Sequence, residues 1–499
     1  MEARNLVTAR EIIENDNWLM PTMNGSPRYK KPPLPTWINA LVVKNKSARN
    51  LSLNRIPNAL IAVFLIFSIY MLVIELYKDP LLAFISSCVL ITSFYLLFMA
   101  RNATWDIYAH AFMSGALFLW VKNWQENKQS LVLNICIGIL LGLSFLSKGP
   151  VAFYSLLLPF ILSWVIFIDP LVFKKYWKGL ILSLFIAFLV GGSWPIYILL
   201  NSEPELMASS KVEVNAWISH HVRPFYQYWS FPFQSGIWGL LILVTFAYNY
   251  MKSRVELGKY KFFLSWVFIS VVLLSIIPEK KERYLLPVLI PMAILVGNYL
   301  HYLYKSQLEN RLTKADKLIV WINATLFFMV SLGFPFYLYF NGVDGPLLNF
   351  SIFINLAICM LFIVGLFKLR LAYLFFGTVL LVSSASIFFI PAVPKIFYKN
   401  PKYDELMHLD ERQDYDFNLY STKVRPEFIW ATERKVDTIY QKENVFIAPE
   451  EDDYILLSND LLEMSNFDEM AKEIHLFDTL YYDPKTMNNY FFAYRVTNN

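Results

Sequence analysis

The chain has 499 residues, is 56% hydrophobic and only 17% charged, and carries a formal net charge of +5 with a mean hydropathy of +0.42. A water-soluble domain is roughly a quarter charged, so this much Leu, Ile, Phe and Tyr requires lipid as part of the solvent and excludes a soluble globular class. The small positive charge argues against nucleic acid as a partner. Cys88, Cys136 and Cys359 lie scattered in apolar runs, with neither a disulfide framework nor metal-ligand spacing.

Residues 1–53 are polar and contain no apolar segment of signal-peptide type. Leu6, Ala9, Ile12 and Ile13 recur at helical spacing and predict an amphipathic helix lying in the membrane interface. Asn24-Gly25 reads as a turn. Pro32, Pro33 and Pro35 predict an extended, stiff backbone carrying Lys31. Apolar stretches of membrane-spanning length follow near 54–76, 81–99, 107–122, 131–147, 150–168, 178–200, 234–251, 261–277, 284–304, 316–340, 347–368 and 370–391. They predict an all-α polytopic membrane protein with about twelve spans, in a domain over 54–395. Residues 396–499 are polar and predict a small soluble α/β domain. Its strands are expected at Asp416–Ser421, Asp453–Ser458, Glu473–Tyr481 and Tyr490–Val496, and a helix at Pro426–Lys435.

Lys and Arg orient the spans. One set of alternate loops holds Lys122 and Lys128, then Lys174, Lys175 and Lys178, then Lys252, Arg254, Lys259 and Lys261. It continues through Lys305, Arg311, Lys314 and Lys317 to Lys368 and Arg370, which marks it as cytoplasmic. The first fifty residues and the C-terminal domain then lie outside the cytoplasm. Against the usual bias, Arg101, Lys148, Arg223, Lys280, Lys281 and Arg283 gather at the outer ends of spans. Each alone is an ordinary interfacial anchor, but together they suit an anion such as a phosphate near the bilayer surface. Asp106 is an acid at the same level, where a charge calls for a role.

The opening segment reads Glu2-Ala3-Arg4, a helix, Asn17-Trp18-Leu19-Met20-Pro21, Asn24-Gly25 and Tyr29-Lys30-Lys31-Pro32-Pro33-Leu34. It resembles the first outer loop of the ArnT-like/PMT-like (dolichyl-phosphate-mannose-protein mannosyltransferase-like) glycosyltransferases of the GT-C fold. Their pattern there is Asp-Glu-x-Arg, a helix, Asp-Trp-x-x-Pro, Asn-Gly-x-Pro-Tyr and Glu-Lys-Pro-Pro-Leu. Further segments are similar in the same order: Ala100–Asp106, Ser147-Lys148-Gly149-Pro150, His221–Tyr226 and Lys280–Pro287. The likeness runs from Glu2 to about Pro291; the last hundred residues match only in size and placement.

The resemblance implies an inverting transfer of a sugar from a polyprenyl (undecaprenyl) phosphate carrier to lipid A or lipopolysaccharide, a protein or another envelope glycan. It implies an inner-membrane location and a catalytic centre outside the cytoplasm. It assigns catalysis to Asp106 and Glu2, and substrate binding to Arg4, Tyr29, Lys31, Arg101, Lys148, His221, Arg223, Lys280, Arg283 and Tyr284. No cofactor is expected. Lys30 replaces the family's acid before the loop lysine, so no metal is expected either. Met1 stands where the family has an aspartate, and no span precedes it. Together these predict an in-frame upstream extension that encodes a span and ends in Asp before Glu2. Two other classes remain open on the residues alone, a multi-span secondary transporter and a polyprenyl-linked glycan ligase or flippase. A transporter calls for mid-membrane charges and an inverted repeat, and neither is visible.

Overall fold

In a computed structural model, the structure describes residues 2–29, 31–44, 50–125, 129–202, 222–397, 418–421, 424–439, 441–442, 445–446, 453–458, 471–481 and 490–498. The chain opens with helix α1 (Glu2–Asn15), a two-stranded hairpin of β1 (Thr22–Met23) and β2 (Ser26–Pro27), and α2 (Leu34–Val43). The helical bundle comprises α3 (Leu51–Tyr77), α4 (Pro80–Ile91), α5 (Phe94–Ala100), α6 (Asp106–Gln125), α7 (Leu131–Lys148), α8 (Leu158–Phe167) and α9 (Val172–Asn201). It continues with α10 (Phe225–Gln234), α11 (Gly239–Phe246), α12 (Leu257–Ile276), α13 (Glu282–Leu308), α14 (Lys314–Phe340), α15 (Gly345–Phe367) and α16 (Leu371–Phe397).

Among the described residues, eight helices are long and apolar enough to cross a membrane, or ten if each of two bent pairs counts as one span. The expected twelve is therefore too many by length and apolarity. Segment 81–99 breaks between α4 and α5 with a 70° bend. There the Thr92 and Ser93 hydroxyls donate to the carbonyls of Cys88 (2.6 Å) and Val89 (2.9 Å), competing with the helical ladder. A second bend of 114° separates α10 from α11, with Gly236 at φ +90° in the joint. Region 107–122 lies in α6, in which 14 of 20 residues are buried, Asp106, His110, Ser114 and Asn123 among them. A helix surrounded by protein has no need of an apolar surface. Region 150–168 begins with a π-turn at Phe153–Leu157 and leaves only the short α8.

Helices α6 and α7 run antiparallel, and α7 packs closely on α9. The seam is made by small residues: a Cβ on Gly138 would lie 2.6 Å from Ile186 Cβ, and one on Gly142 2.5 Å from Val190 Cβ. Close backbone approach through glycines four apart is how helices associate where lipid supplies no hydrophobic drive. This seam fixes the far end of α7, which is capped by Gly149, whose N–H donates to Phe145 O at 2.7 Å. Lys148 is thus held as the last helical residue.

Near the C-terminus, α17 (Pro426–Thr432) accompanies a five-stranded mixed sheet of β3 (Asn418–Ser421), β4 (Val436–Thr438), β7 (Asp453–Ser458), β8 (Ala471–Tyr481) and β9 (Tyr490–Asn498), ordered β4-β3-β7-β9-β8. A separate pair, β5 (Gln441–Lys442) and β6 (Val445–Phe446), is antiparallel. The four expected strands are present, although 416–417 lie outside the described residues; the helix ends at Thr432, and β4 was not anticipated.

Two expectations about the first segment give way. Helix α1 does not present a face to lipid. Asn5 through Ile12 are all buried, with Val7 in the core of the C-terminal sheet beside Leu419, Phe428 and Phe491, and Ala9 and Ile12 against Ala40, Trp18 and Trp37. The proline run does not stay extended. Pro33 turns into the helical region (φ −90°, ψ −7°) and Pro35 sits in the first turn of α2, where a missing N–H costs nothing. The Asn24-Gly25 turn is present, both residues at positive φ (59° and 73°) as a two-residue hairpin loop requires.

Filling the α7–α9 seam should loosen the bundle. Gly142→Val should lower stability by about 1–3 kcal/mol through overpacking, read as a lower unfolding midpoint in detergent. Gly258→Ala, whose Cβ would meet open space in the first turn of α12, should leave the midpoint unchanged or raise it slightly.

Candidate active site

Asp106 is the first residue of α6, and Lys148 is the last of α7. A helix N-terminus favours an anion and a C-terminus a cation, so two antiparallel neighbours present complementary ends at one level. The two side chains meet there: Lys148 Nζ donates to Asp106 Oδ1, with Lys148 9% and Asp106 2% exposed. Arg283 Nε stands 3.6 Å from the other carboxylate oxygen, Oδ2, which accepts no hydrogen bond from the described residues. The Tyr284 ring faces three cations, Lys148 Nζ at 4.5 Å and the charged groups of Arg283 and Lys281 at 5.6 and 5.8 Å.

The loop that delivers Asp106 is held from three sides. Ala103 N–H donates to Glu2 Oε1 (2.9 Å), Asn5 Nδ2 donates to Ala103 O (3.4 Å), and Asn58 Nδ2 donates to Thr104 O (2.9 Å). Thr36 links this bracket to α2, its hydroxyl donating to Asn5 Oδ1 at 2.6 Å. Glu2 is gripped by Arg55 through Nε (2.8 Å) and a terminal nitrogen (2.9 Å), the bidentate geometry of a strong pair. Burial pushes the Glu2 carboxyl up, but the Arg55 hydrogen bond and the Ala103 N–H outweigh it and keep it below the ordinary glutamate value. The carboxylate assigned to catalysis is thus placed as a bracket for the Asp106 loop.

Around this pair lies a cavity of about 650 Å³, lined by the bases Arg4, Arg28, Lys31, Lys148 and Lys281 against the acids Asp106 and Glu279. Its walls include Trp105, His110, Tyr154, Tyr228 and Tyr284 with Val151, Leu274 and Ile277. Of the residues expected to bind substrate, the cavity brings together Arg4, Lys31, Lys148 and Tyr284, with Arg283 beside Asp106. Tyr29, Arg101 and Arg223 do not line it, and Arg101 and Arg223 are exposed. His221, Lys30 and Lys128 lie outside the described residues.

Lys280 is buried and spends its ammonium on the carbonyls of Ile277 (2.7 Å) and Arg223 (3.2 Å); burial lowers its pKa. It ties segment 222–224 to the start of α13, helped by the bridge between Val222 and Glu279. Its neighbour Lys281 lines the cavity instead, its ammonium paired with Glu279 and its backbone exchanging hydrogen bonds with the Tyr228 hydroxyl (2.9 and 3.0 Å).

Arg28 was missed by sequence reasoning, although it opens the basic run Arg28-Tyr29-Lys30-Lys31. Its guanidinium lies over Trp105 (5.1 Å) and donates to Arg4 O and to Thr8 Oγ1 (2.6 Å). Burial first, then the charge of Arg4, pull its pKa down to about 10. Trp105, His110 and Tyr228 carried weaker signals, being aromatic or lone polar residues next to the motifs.

The hairpin that precedes Arg28 and Lys31 is clamped at both ends. Glu11 accepts from Thr22 Oγ1 (2.6 Å) and the N–H groups of Asn24 (2.5 Å) and Gly25 (3.2 Å). The Asn24 side-chain amide pairs both ways with Val436, donating to its carbonyl (2.7 Å) and accepting from its N–H (2.9 Å). Asn24 so occupies the exposed edge of the C-terminal sheet.

Comparison with known proteins follows this geometry. Residues 30–194 match the family described as dolichyl-phosphate-mannose-protein mannosyltransferase. A Proteus mirabilis protein named undecaprenyl phosphate-alpha-4-amino-4-deoxy-L-arabinose arabinosyl transferase 1 is 25% identical over 348 residues, covering 67% of this chain and 62% of the relative. An Edwardsiella ictaluri protein of the same activity name is 24% identical over 350 residues, covering 66% and 59%. An uncharacterized Aquifex aeolicus protein is 26% identical over 348 residues, covering 68% and 66%. The matched region thus spans less than two thirds of these relatives' own length. Crystal structures of ArnT from Cupriavidus metallidurans share the fold. The apo form has a TM-score of 0.69 and the form bound to undecaprenyl phosphate 0.66, each at 13% identity over 99% of this chain and 93% of the other.

The Asp106–Lys148 pair is open to a direct test. Lys148→Met leaves a buried carboxylate without its hydrogen-bonded cation and should cost about 3–5 kcal/mol. Asp106→Asn combined with Lys148→Met should recover much of that loss, measured as a double-mutant cycle on the unfolding midpoint. Additive effects of the two substitutions would show that the pair is not coupled.

Proposed function

We propose that this chain, an ArnT-like membrane protein of the GT-C fold, transfers a glycosyl unit from an undecaprenyl-phosphate carrier to an envelope acceptor. The observation that carries the reading is the divided use of the Asp106 carboxylate. Oδ1 is committed to Lys148, while Oδ2 accepts no hydrogen bond from the described residues in a cavity rich in fixed cations. The relatives' names make 4-amino-4-deoxy-L-arabinose the first sugar to test, and the family resemblance makes lipid A the first acceptor.

The chemistry asked of such a site is modest. An acceptor hydroxyl attacks the anomeric carbon from the face opposite the phosphate, so the configuration inverts. The carbon–oxygen bond to the phosphate breaks, its electron pair stays on the phosphate, and the hydroxyl proton passes to Asp106 Oδ2. A phosphodiester with one negative charge becomes a monoester with two. Cations preorganised by the fold, from Arg4, Arg28, Lys31 and Lys281, stabilise that developing charge. Lys148 and Arg283 keep Asp106 ionised, so it orients the incoming hydroxyl at least as much as it deprotonates it. Catalysis at Glu2 is not part of this reading; its role is to position the Asp106 loop.

The distribution of Lys and Arg supports placing the Asp106 end of the bundle and the C-terminal sheet outside the cytoplasm. A periplasmic-type reporter fused after Asn499 should then be active, and the corresponding cytoplasmic reporter silent. The reverse pattern would invert the topology and remove the site from the face proposed for it.

Transfer itself is measured with the full-length protein in detergent or vesicles, undecaprenyl-phosphate aminoarabinose and lipid A. Lys31→Ala and Lys281→Ala should each lower kcat/KM about ten- to a hundredfold, the size of one lost charge-assisted contact of about 1.5–3 kcal/mol. Lys305→Ala, an exposed change beside Asp79 at the opposite end of the bundle, should have no effect. Wild-type rates in both cavity variants would show that the carrier phosphate binds elsewhere.

A further inference from the structure

His110 is one helical turn beyond Asp106 on α6, on the same face of the helix. It is 2% exposed, lines the Asp106 cavity, and has an Nδ1 that is sealed from solvent and without a hydrogen-bond partner among the described residues. Buried side-chain nitrogens are ordinarily hydrogen-bonded, and an exception calls for a use. Its backbone carbonyl accepts the Ser114 hydroxyl at 2.8 Å, so on this residue it is the ring nitrogen that is left over.

The placement of the ring narrows what it can serve. The cations suited to a phosphate line the cavity from α1 (Arg4), the first loop (Arg28, Lys31) and the segment before α13 (Lys281), with Arg28 over Trp105, the residue before α6. His110 lies a turn further into the bundle, and Val151, Leu274 and Ile277 supply apolar wall in the same cavity. Lys148 is already committed to Asp106 and to the face of Tyr284. A neutral imidazole carries one donor and one acceptor, which suits a hydroxyl or amino substituent rather than a phosphate oxygen alone.

We propose that His110 is a specificity-determining residue that hydrogen-bonds a hydroxyl or amino group of the transferred sugar ring. The inference rests on the transfer reading above and adds the residue that reads the sugar. A site built to hydrogen-bond a substrate substituent rejects analogues that lack it, because its own buried polar group is then left unpaired. His110 is such a group.

The test is a binding comparison on the full-length protein. Affinities are measured for undecaprenyl phosphate without sugar and for a panel of undecaprenyl-phosphate glycosides bearing glucose, mannose, galactose or 4-amino-4-deoxy-L-arabinose. The wild type should bind at least one glycoside more tightly than undecaprenyl phosphate. His110→Phe should reduce that preference roughly tenfold, the effect of one lost neutral hydrogen bond with its partner left buried, while affinity for undecaprenyl phosphate itself is unchanged. His110→Asn, which keeps a donor and an acceptor in a smaller side chain, should retain part of the preference and guards against a folding defect in the Phe variant. An unchanged preference in His110→Phe overturns the proposal, and so does an equal loss for sugar-free carrier, which would make His110 a structural or phosphate-site residue. A wild type that prefers no glycoside over the sugar-free carrier overturns it too. Failure of the wild type to bind undecaprenyl phosphate at all would instead remove the transfer reading on which the proposal stands.

Discussion

A carboxylate and an ammonium buried together at the adjoining ends of two antiparallel helices set the terms for the rest of this molecule. Desolvating both charges is expensive, and the attraction between them offsets that only when geometry is held closely. The fold supplies that geometry from both sides. On the Lys148 side, the Gly138–Gly142 seam locks α7 against α9 and Gly149 ends the helix in the required place. On the Asp106 side, Glu2, Asn5 and Asn58 hold the loop before α6 by its backbone. The opposing helix termini add a field that favours the same charges. An interior polar pair of this kind is poor evidence of stability, since a well-packed apolar pair of the same volume often serves as well.

The same constraint accounts for the unusual burial of α1. A short polar helix at the start of a membrane protein reads as an interfacial element, and the spacing of Leu6, Ala9 and Ile12 supports that reading. In the structure Ala9 and Ile12 do face apolar partners, but Val7 and Arg10 are buried as well, against the C-terminal domain, and Thr8 and Glu11 are buried beneath Arg28 and the β1–β2 hairpin. Arg10 donates to Ile429 O at 3.2 Å, and Asn24 completes the edge of β4. The C-terminal sheet therefore braces the loop that presents Arg28 and Lys31. Among the described residues it contributes none to the cavity lining, so its influence there is mechanical.

Much of this was legible in the sequence, and what was not has physical reasons. The long apolar helices, the Asn24-Gly25 turn and the C-terminal hairpin followed from period and length, and Asp106, Lys148 and Arg283 stood out by charge position, whereas Tyr284 came only from the family resemblance. Hydropathy overcounted spans because it cannot see a helix broken by its own Thr92 and Ser93 hydroxyls, nor one such as α6 whose surroundings are protein. Between Lys280 and Lys281 the sequence offers no distinction, since only the turn into α13 decides which ammonium meets carbonyls and which meets the cavity. Glu2 stood in a motif that suggested chemistry, yet Arg55, fifty-three residues away, takes its carboxylate. Arg28 needed the hairpin to fold before its position over Trp105 could be seen.

The central claim is that the cavity around Asp106 holds the phosphate end of a polyprenyl carrier. An undecaprenyl phosphate analogue with a photoreactive group beside the phosphate tests it most directly, with labelled peptides mapped by mass spectrometry. The account predicts labels in segments 28–31, 148–155 and 277–284, which line or adjoin the cavity. Labelling confined to the apolar groove of Phe84, Trp238, Phe327 and Phe376, with none near Asp106, would contradict it.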